Sequence, residues 1–325
     1  MSNAWTAAKA FCKKYTIVPI LAIIFVVFSI FGKSFFTLSN FSNILTQSAI
    51  YGTMAVGMTF LIVDGFFDLS AGVVMGLTAN IVILFQMAGF PIWASVAIAI
   101  VVSFVIGVIN GALVAKVGIN AFIVTLAMMV SMRGVTYMLN GSEQLAGTIK
   151  EFGVYGSGEI GGVSFIGLTF LALLLIGYLV LHYTRHGRDT FALGGSEEAA
   201  FNAGIKVGRV KAVNFVICSL MAGVAGVMNA SKMNAATPYL GYPDGSIMVI
   251  TCVVLGGTSL AGGSGGMLYT LGGTIAYFML RNGLNMMNVP SSYYYMVTGL
   301  ILIAVVTAER VQEARRARKV SQGRG

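Results

Sequence analysis

Long, nearly uninterrupted apolar runs joined by short polar segments dominate this chain, and each run is close to the length an α-helix needs to cross a hydrocarbon layer, about 20 residues. Shorter runs suffice where a helix is broken or shielded inside a bundle. Roughly ten runs are present, with approximate cores at residues 17–31, 44–63, 69–85, 92–114, 122–139, 165–181, 213–228, 247–260, 267–279 and 293–306. The pattern predicts an all-α, polytopic membrane protein of about ten transmembrane helices. It divides the chain into a tail at 1–16, a transmembrane domain at 17–308 that holds one long polar loop at 184–211, and a second tail at 309–325.

Two segments, around residues 64–71 and 256–266, join runs with almost no polar linker and are rich in glycine and small residues. They are expected to be broken or re-entrant backbone. Such backbone is tolerated at membrane depth only where protein or a water-filled cavity satisfies its peptide groups, so both segments point to a solute pathway. The residues expected along it are Asp68, Ser70, Asn110, Thr258 and Ser259. A short likeness between Asp68-Leu-Ser-Ala-Gly72 and Ser259-Leu-Ala-Gly-Gly263 hints at two related halves, as many transporters have. Gly72 and Gly76, like Gly107 and Gly111, have the spacing that lets helices approach closely.

Composition and charge sharpen the picture. Hydrophobic residues make up 57% of the chain and charged residues 10%, against roughly 45–50% and about 25% in a soluble domain. Eleven acidic and twenty basic side chains cannot furnish the charged exterior of a water-soluble protein of this length, so the exterior faces membrane lipid. The net charge of +9 does not indicate nucleic acid, because the basic residues are not spread along one face with interleaved aromatics. They cluster: Lys9, Lys13 and Lys14 precede the first run; Arg185, Arg188, Lys206, Arg209 and Lys211 lie in the central loop; Arg310, Arg315, Arg316, Arg318, Lys319 and Arg324 follow the last run. That is the positive-inside pattern, and with an even number of spans it puts both termini and the 184–211 loop in the cytoplasm. The first run follows lysines as a signal peptide would, but no small-residue cleavage site follows it, so it reads as uncleaved. Cys12, Cys218 and Cys252 are far apart and form no CxxC pair, so neither disulfides nor a metal site is indicated.

Within the central loop, residues 192–205 read as one short helix with both ends marked. Ser196 is a good N-cap and Gly204 a good stop. Glu197 and Glu198 fall in the first turn, where the helix dipole favours carboxylates. So short a helix is marginal alone and needs a docking surface, either its own protein or a partner. No GxxxxGK[ST] phosphate loop occurs, so any ATP coupling comes from another polypeptide.

Asp64 and Asp68 are four apart and would share one face of a continuous helix, as a proton or cation site requires. That reading makes the chain an ion-coupled secondary carrier. In the alternative, Asp68 or Ser70 caps the helix that begins near Leu69 while Gly65 ends the helix before it. Arg133 lies within an apolar run and needs a partner, a backbone bond or a route to the interface. Phe66, Phe67, Trp93 and Tyr293-Tyr-Tyr295 are placed either to stack on a sugar face or to anchor span ends. Gly262-Gly-Ser-Gly265 matches a serine-nucleophile pattern, but that chemistry needs a histidine base, and His182 and His186 both fall at the inner edge of the sixth run.

Asp68-Leu-Ser-Ala-Gly72, Ala121-Phe-Ile-Val-Thr-Leu126 with Arg133-Gly134, the 192–205 segment, and Val254-Leu-Gly-Gly-Thr-Ser-Leu-Ala-Gly-Gly263 together carry a resemblance. The chain resembles the ribose, xylose, arabinose and galactoside permeases of bacterial ABC importers over nearly its whole length. The resemblance implies a multi-pass subunit of the bacterial cytoplasmic membrane that does no covalent chemistry. It would pair with a second permease subunit, receive a simple sugar from an extracytoplasmic solute-binding protein, and be driven by a cytoplasmic ABC ATPase that holds the ATP and Mg. The 192–205 segment looks like that family's coupling helix, so Ser196, Glu197, Glu198 and Gly204 are expected to form the ATPase-docking element. The chain departs from the family pattern at Asp64-Gly65-Phe66-Phe67 and at Ser246-Ile247-Met248-Val249-Ile250.

Overall fold

The computed structural model describes residues 17–31, 35–290 and 292–321. The tail at 1–16, with Lys9, Cys12, Lys13 and Lys14, and the stretch at 322–325, with Arg324, lie outside the described residues, as do the side chains of Arg310, Arg315, Arg316, Arg318 and Lys319.

Thirteen α-helices are assigned among the described residues: α1 (Ile17–Phe31), α2 (Leu38–Val63), α3 (Ala71–Met87), α4 (Ile92–Ala112), α5 (Ala121–Asn140), α6 (Lys150–Ser157), α7 (Phe165–Tyr183), α8 (Arg185–Gly195), α9 (Glu197–Asn202), α10 (Val207–Met233), α11 (Gly245–Gly256), α12 (Met267–Met286) and α13 (Ser292–Ser321). Each apolar run overlaps one of these helices, while α6, α8 and α9 occupy polar connections. Five stretches, Leu38–Val63, Ile92–Val117, Ala121–Asn140, Phe165–Tyr183 and Val207–Met233, are long and apolar enough to cross a membrane. The apolar helices α3 and α11 and the apolar part of α13 are shorter. A π-helical turn, Leu113–Val117, continues α4 and was not foreseen.

The bundle is organised around α10, which packs most extensively against α4, α2 and α3. Small residues make this possible: a Cβ on Gly107 would sit 2.8 Å from the Val216 Cα, and one on Gly111 would sit 2.9 Å from the Ala212 Cα. The outward faces of α4, α5 and α7 carry Phe104, Val105, Val130 and Leu175, exposed apolar side chains suited to lipid.

The expectation that Gly72 and Gly76 receive a neighbouring helix holds in part for Gly72, whose missing side chain admits Ser246 at the start of α11, and is corrected for Gly76. Both missing side chains make room for a stretch of turns, the Gly241 carbonyl against Gly72 and the Leu240 carbonyl against Gly76. This segment, residues 234–244, is a third interruption. It leaves α10 at Asn234, pairs Ala235 and Ala236 antiparallel with Ala146 and Leu145, and then runs back along α3. Asn80 Nδ2 donates to the Thr237 carbonyl at 3.0 Å on the way. The short α11 starts only where this segment ends, and at 1.5 Å per residue it is about 18 Å long, well under a full crossing.

Replacing Gly76 by valine should therefore displace the 240–241 backbone and destabilise the protein by about 1–3 kcal/mol. Gly134→Ala, where a Cβ meets open space, should be neutral or stabilising. Thermal unfolding in detergent compares the two directly.

Candidate functional site

The first expected break is built as follows. Gly65 takes φ +87, and its N–H and that of Phe66 return to the Ile62 and Leu61 carbonyls at 3.0 and 2.8 Å. This doubly bonded end stops α2, and only glycine adopts such a φ without strain. Asp64 and Asp68 consequently do not share a helix face, which removes the geometric basis of a paired-carboxylate ion site.

Asp68 is fully buried and braces the start of α3 from two residues before its N-cap, Ser70, which makes no side-chain cap bond of its own: Asp68 Oδ1 accepts from the Ser70 N–H at 2.7 Å and from the Ser70 hydroxyl at 2.6 Å. Asn110, at the end of α4, donates Nδ2 to Ser70 Oγ at 3.1 Å and lies 3.4 Å from Asp68 Oδ2. Three residues expected on a pathway thus form one buried cluster. Asn110 Oδ1 is buried with no hydrogen-bond partner among the described residues. Beside the cluster, Ser246 Oγ donates to the Leu69 carbonyl at 2.7 Å and accepts from the Gly72 N–H at 2.8 Å. It ties the start of α11 to the start of α3, so residues adjoining both departures from the family pattern meet in space.

Thr258 and Ser259 lie elsewhere, in the second expected break between α11 and α12. Thr258 Oγ1 accepts from the Gly266 N–H at 3.4 Å, and Ser259 Oγ accepts from the Ala261 N–H at 3.2 Å. Their loop touches the end of α2 through Gly263 N–H to the Val63 carbonyl, 2.8 Å. Gly194 of α8 is wedged against the same two groups, with no room for a Cβ.

The single helix expected over 192–205 is two. Ser196 is extended (φ −164, ψ 115), ends α8 and caps α9 by accepting from the Ala199 N–H at 3.2 Å. Gly204, at φ +78, closes α9 with its own N–H on the Phe201 carbonyl at 2.9 Å and that of Ile205 on the Ala200 carbonyl at 3.1 Å. Both caps are those expected from the residues. Beneath α9, Ala200 packs with Leu193, Val210, Ile205 and Val207. Its outer side presents Glu198, Ala199 and Phe201, the last 69% exposed. Glu197 pairs with Lys211 at 2.7 Å.

Behind α8, Asn214, a residue that the sequence did not single out, joins Asp64 to His186. Asn214 Nδ2 donates to Asp64 Oδ2 at 2.9 Å, and Asn214 Oδ1 is 2.8 Å from His186 Nε2. Asn214 sits in an apolar run with no local motif, and only a buried amide amid small residues hinted at a role. Burial holds the His186 imidazole below its ordinary range; the Asn214 bond and Asp189 pull it back up, and Arg209 pushes it down. Arg133 finds tyrosines rather than backbone: Nη2 donates to Tyr137 Oη at 2.6 Å, and the guanidinium lies 3.4 Å over the Tyr242 ring. His182 engages the Tyr178 carbonyl.

A family model described as "Branched-chain amino acid transport system / permease component" matches residues 40–306. The chain is 38% identical over 304 residues to the ribose import permease protein RbsC of Escherichia coli (strain K12), covering 90% of this chain and 92% of that one. It is 35% identical over 296 residues to the ribose import permease protein RbsC of Bacillus subtilis (90% and 92% covered). It is 34% identical over 306 residues to the L-arabinose transport system permease protein AraH of Escherichia coli (strain K12), with 92% and 91% covered. No solved structure matches the chain at a significant level.

Two outcomes are expected from the site. Asp68→Ala strands the Ser70 N–H and the Ser70 hydroxyl donor in the interior, and should lower stability by about 1–3 kcal/mol, read by thermal unfolding. The neutral His186 ring is favoured by the fold, so the stability it supplies is complete above its unfolded pKa of about 6.5 and is lost as pH falls through the lower folded value. His186→Gln should flatten that acid-side decline in melting temperature.

Proposed function

This chain belongs to the family of permease components of branched-chain amino acid transport systems, and from that premise we propose that it is the membrane-spanning subunit of an ATP-driven importer for a simple sugar. It is a transport subunit and not an enzyme. The sugar reading follows the relatives matched along nearly their whole length, which are named for ribose and arabinose.

The observation that carries ATP coupling is α9. It is a short helix fixed at both ends, seated on its own apolar cluster, that offers an exposed aromatic ring beside carboxylates. In this proposal Ser196, Glu197, Glu198 and Gly204 form the element that docks on a cytoplasmic ABC ATPase, which binds ATP and Mg. The 184–211 loop and the tails at 1–16 and 309–325 are then cytoplasmic, and residues 17–308 form the permease domain in the bacterial inner membrane. A solute-binding protein delivers sugar at the opposite end, and a second permease subunit completes the channel.

The proposed pathway runs along Asp68, Ser70 and Asn110 and past the loop of Thr258 and Ser259. The free acceptor on Asn110 supports this reading, because it suits a sugar hydroxyl. Alternating exposure of the interrupted segments moves the solute.

Tagged protein isolated gently from its own membranes should bring down a near-stoichiometric ABC ATPase. The double change Glu198→Lys and Phe201→Ser should leave the permease in the membrane and lower ATPase recovery by about tenfold or more. Full recovery would remove α9 as the docking element, and a wild-type chain isolated alone would contradict the ATP-driven reading.

A further inference from the structure

Lys211 and Asn214 stand three apart near the start of α10, so they project from one face of that helix. Each of them reaches in two directions. Asn214 donates Nδ2 to Asp64 Oδ2 at 2.9 Å and holds His186 Nε2 at 2.8 Å through Oδ1. Because the amide nitrogen faces the carboxylate, the amide oxygen faces the ring, and His186 Nε2 must carry the hydrogen it donates. Lys211 pairs with Glu197 Oε1 at 2.7 Å while its ammonium lies 5.0 Å from the centre of the Phe66 ring.

The partners fall into two groups. Asp64 and Phe66 belong to the interrupted segment that leads to Asp68, whereas His186 is on α8 and Glu197 on α9. Asp64 is 3% exposed, and its Oδ1 has no hydrogen-bond partner among the described residues. The buried carboxylate is thus held chiefly by Asn214, and separating them would leave a buried charge unsatisfied. Gly194 of α8, packed against the Val63 carbonyl, fixes the same junction through backbone.

We infer that Lys211 and Asn214 are positioning residues that transmit movement of α8 and α9 to the segment at 64–70, and through it to the Asp68, Ser70 and Asn110 cluster. The inference rests on the proposed function, which supplies the ATP-driven movement. The two links pass through different chemistry, a hydrogen-bonded chain from α8 and an ion pair with a cation–π contact from α9. A shift of either short helix therefore pulls on the segment before the spanning helices need to deform.

The test uses the complete complex with its ATPase in lipid nanodiscs, with Phe67→Cys as a reporter of the segment. Maleimide labelling of that cysteine is timed without nucleotide and after trapping with ATP and vanadate. In the otherwise wild-type complex the labelling rate should change about tenfold on trapping. Asn214→Ala should still hydrolyse ATP and trap vanadate, yet leave the labelling rate unchanged. The exchange Asp64→Asn with Asn214→Asp rebuilds both hydrogen bonds with the carboxylate moved to α10, and should restore the response. If Asn214→Ala does not assemble, His186→Ala on the half-buried side of α8 should blunt the response in its place. A full response in Asn214→Ala or His186→Ala, or no response in the reporter complex that hydrolyses ATP, overturns the inference. A complex that contains no ATPase instead contradicts the proposed function.

Discussion

A backbone amide or carbonyl left without a partner in hydrocarbon costs several kcal/mol, and among the described residues this chain stops its helices at three places inside the bundle. Each interruption is answered by a particular set of small and polar residues. At 64–70 the doubly bonded end at Gly65 returns two N–H groups to α2, and Ser246 serves the Leu69 carbonyl and the Gly72 N–H. At 234–244 the missing side chains of Gly72 and Gly76 admit the backbone, and Asn80 serves Thr237. Between α11 and α12, Gly263 bonds the Val63 carbonyl. Satisfying these groups ties the first interruption to α11 through Ser246 and to the loop before α12 through Gly263, and Asp68, Ser70 and Asn110 come together beside it.

The same constraint explains why α10 is the axis of the fold. Only a helix with small residues on several faces lets α2, α3 and α4 lie close enough for side chains on one to reach backbone on another. Ser219 Oγ, for example, donates to the Ser103 carbonyl of α4 at 2.7 Å. The polar end of α10 then has α8 and α9 on one side and the broken end of α2 on the other. The short helices α8 and α9 and the segment at 64–70 are thereby joined through side chains of α10, Lys211 and Asn214.

Much of this was legible in the residues. Long apolar runs report helices directly, since lipid leaves the backbone few other choices, and Ser196, Gly204 and Gly65 act locally through their own backbone preferences. The segment at 234–244 was not legible, because what makes it re-entrant is the absence of side chains on α3, far away in sequence. Gly72 and Gly76 signal close approach without saying what approaches. Asn214 was missed for a similar reason: one amide in an apolar run shows no periodicity, and its partners, Asp64 and His186, are distant along the chain. The split of the 192–205 helix follows from Ser196 taking an extended conformation, which serves capping but ends the helix before it. Asp68, Ser70 and Asn110 were named from the sequence in one set with Thr258 and Ser259, and the fold draws the first three into a single cluster.

The central claim is that this chain carries solute at the expense of ATP. The most direct measurement reconstitutes the co-isolated complex in liposomes with its solute-binding protein and ATP supplied on the ATPase side, collapses both the proton and sodium gradients, and follows uptake of radiolabelled ribose and arabinose. The account predicts accumulation of at least one sugar that stops when ATP is withheld. Sugar uptake that is indifferent to ATP and fails whenever the ion gradients are collapsed would contradict it.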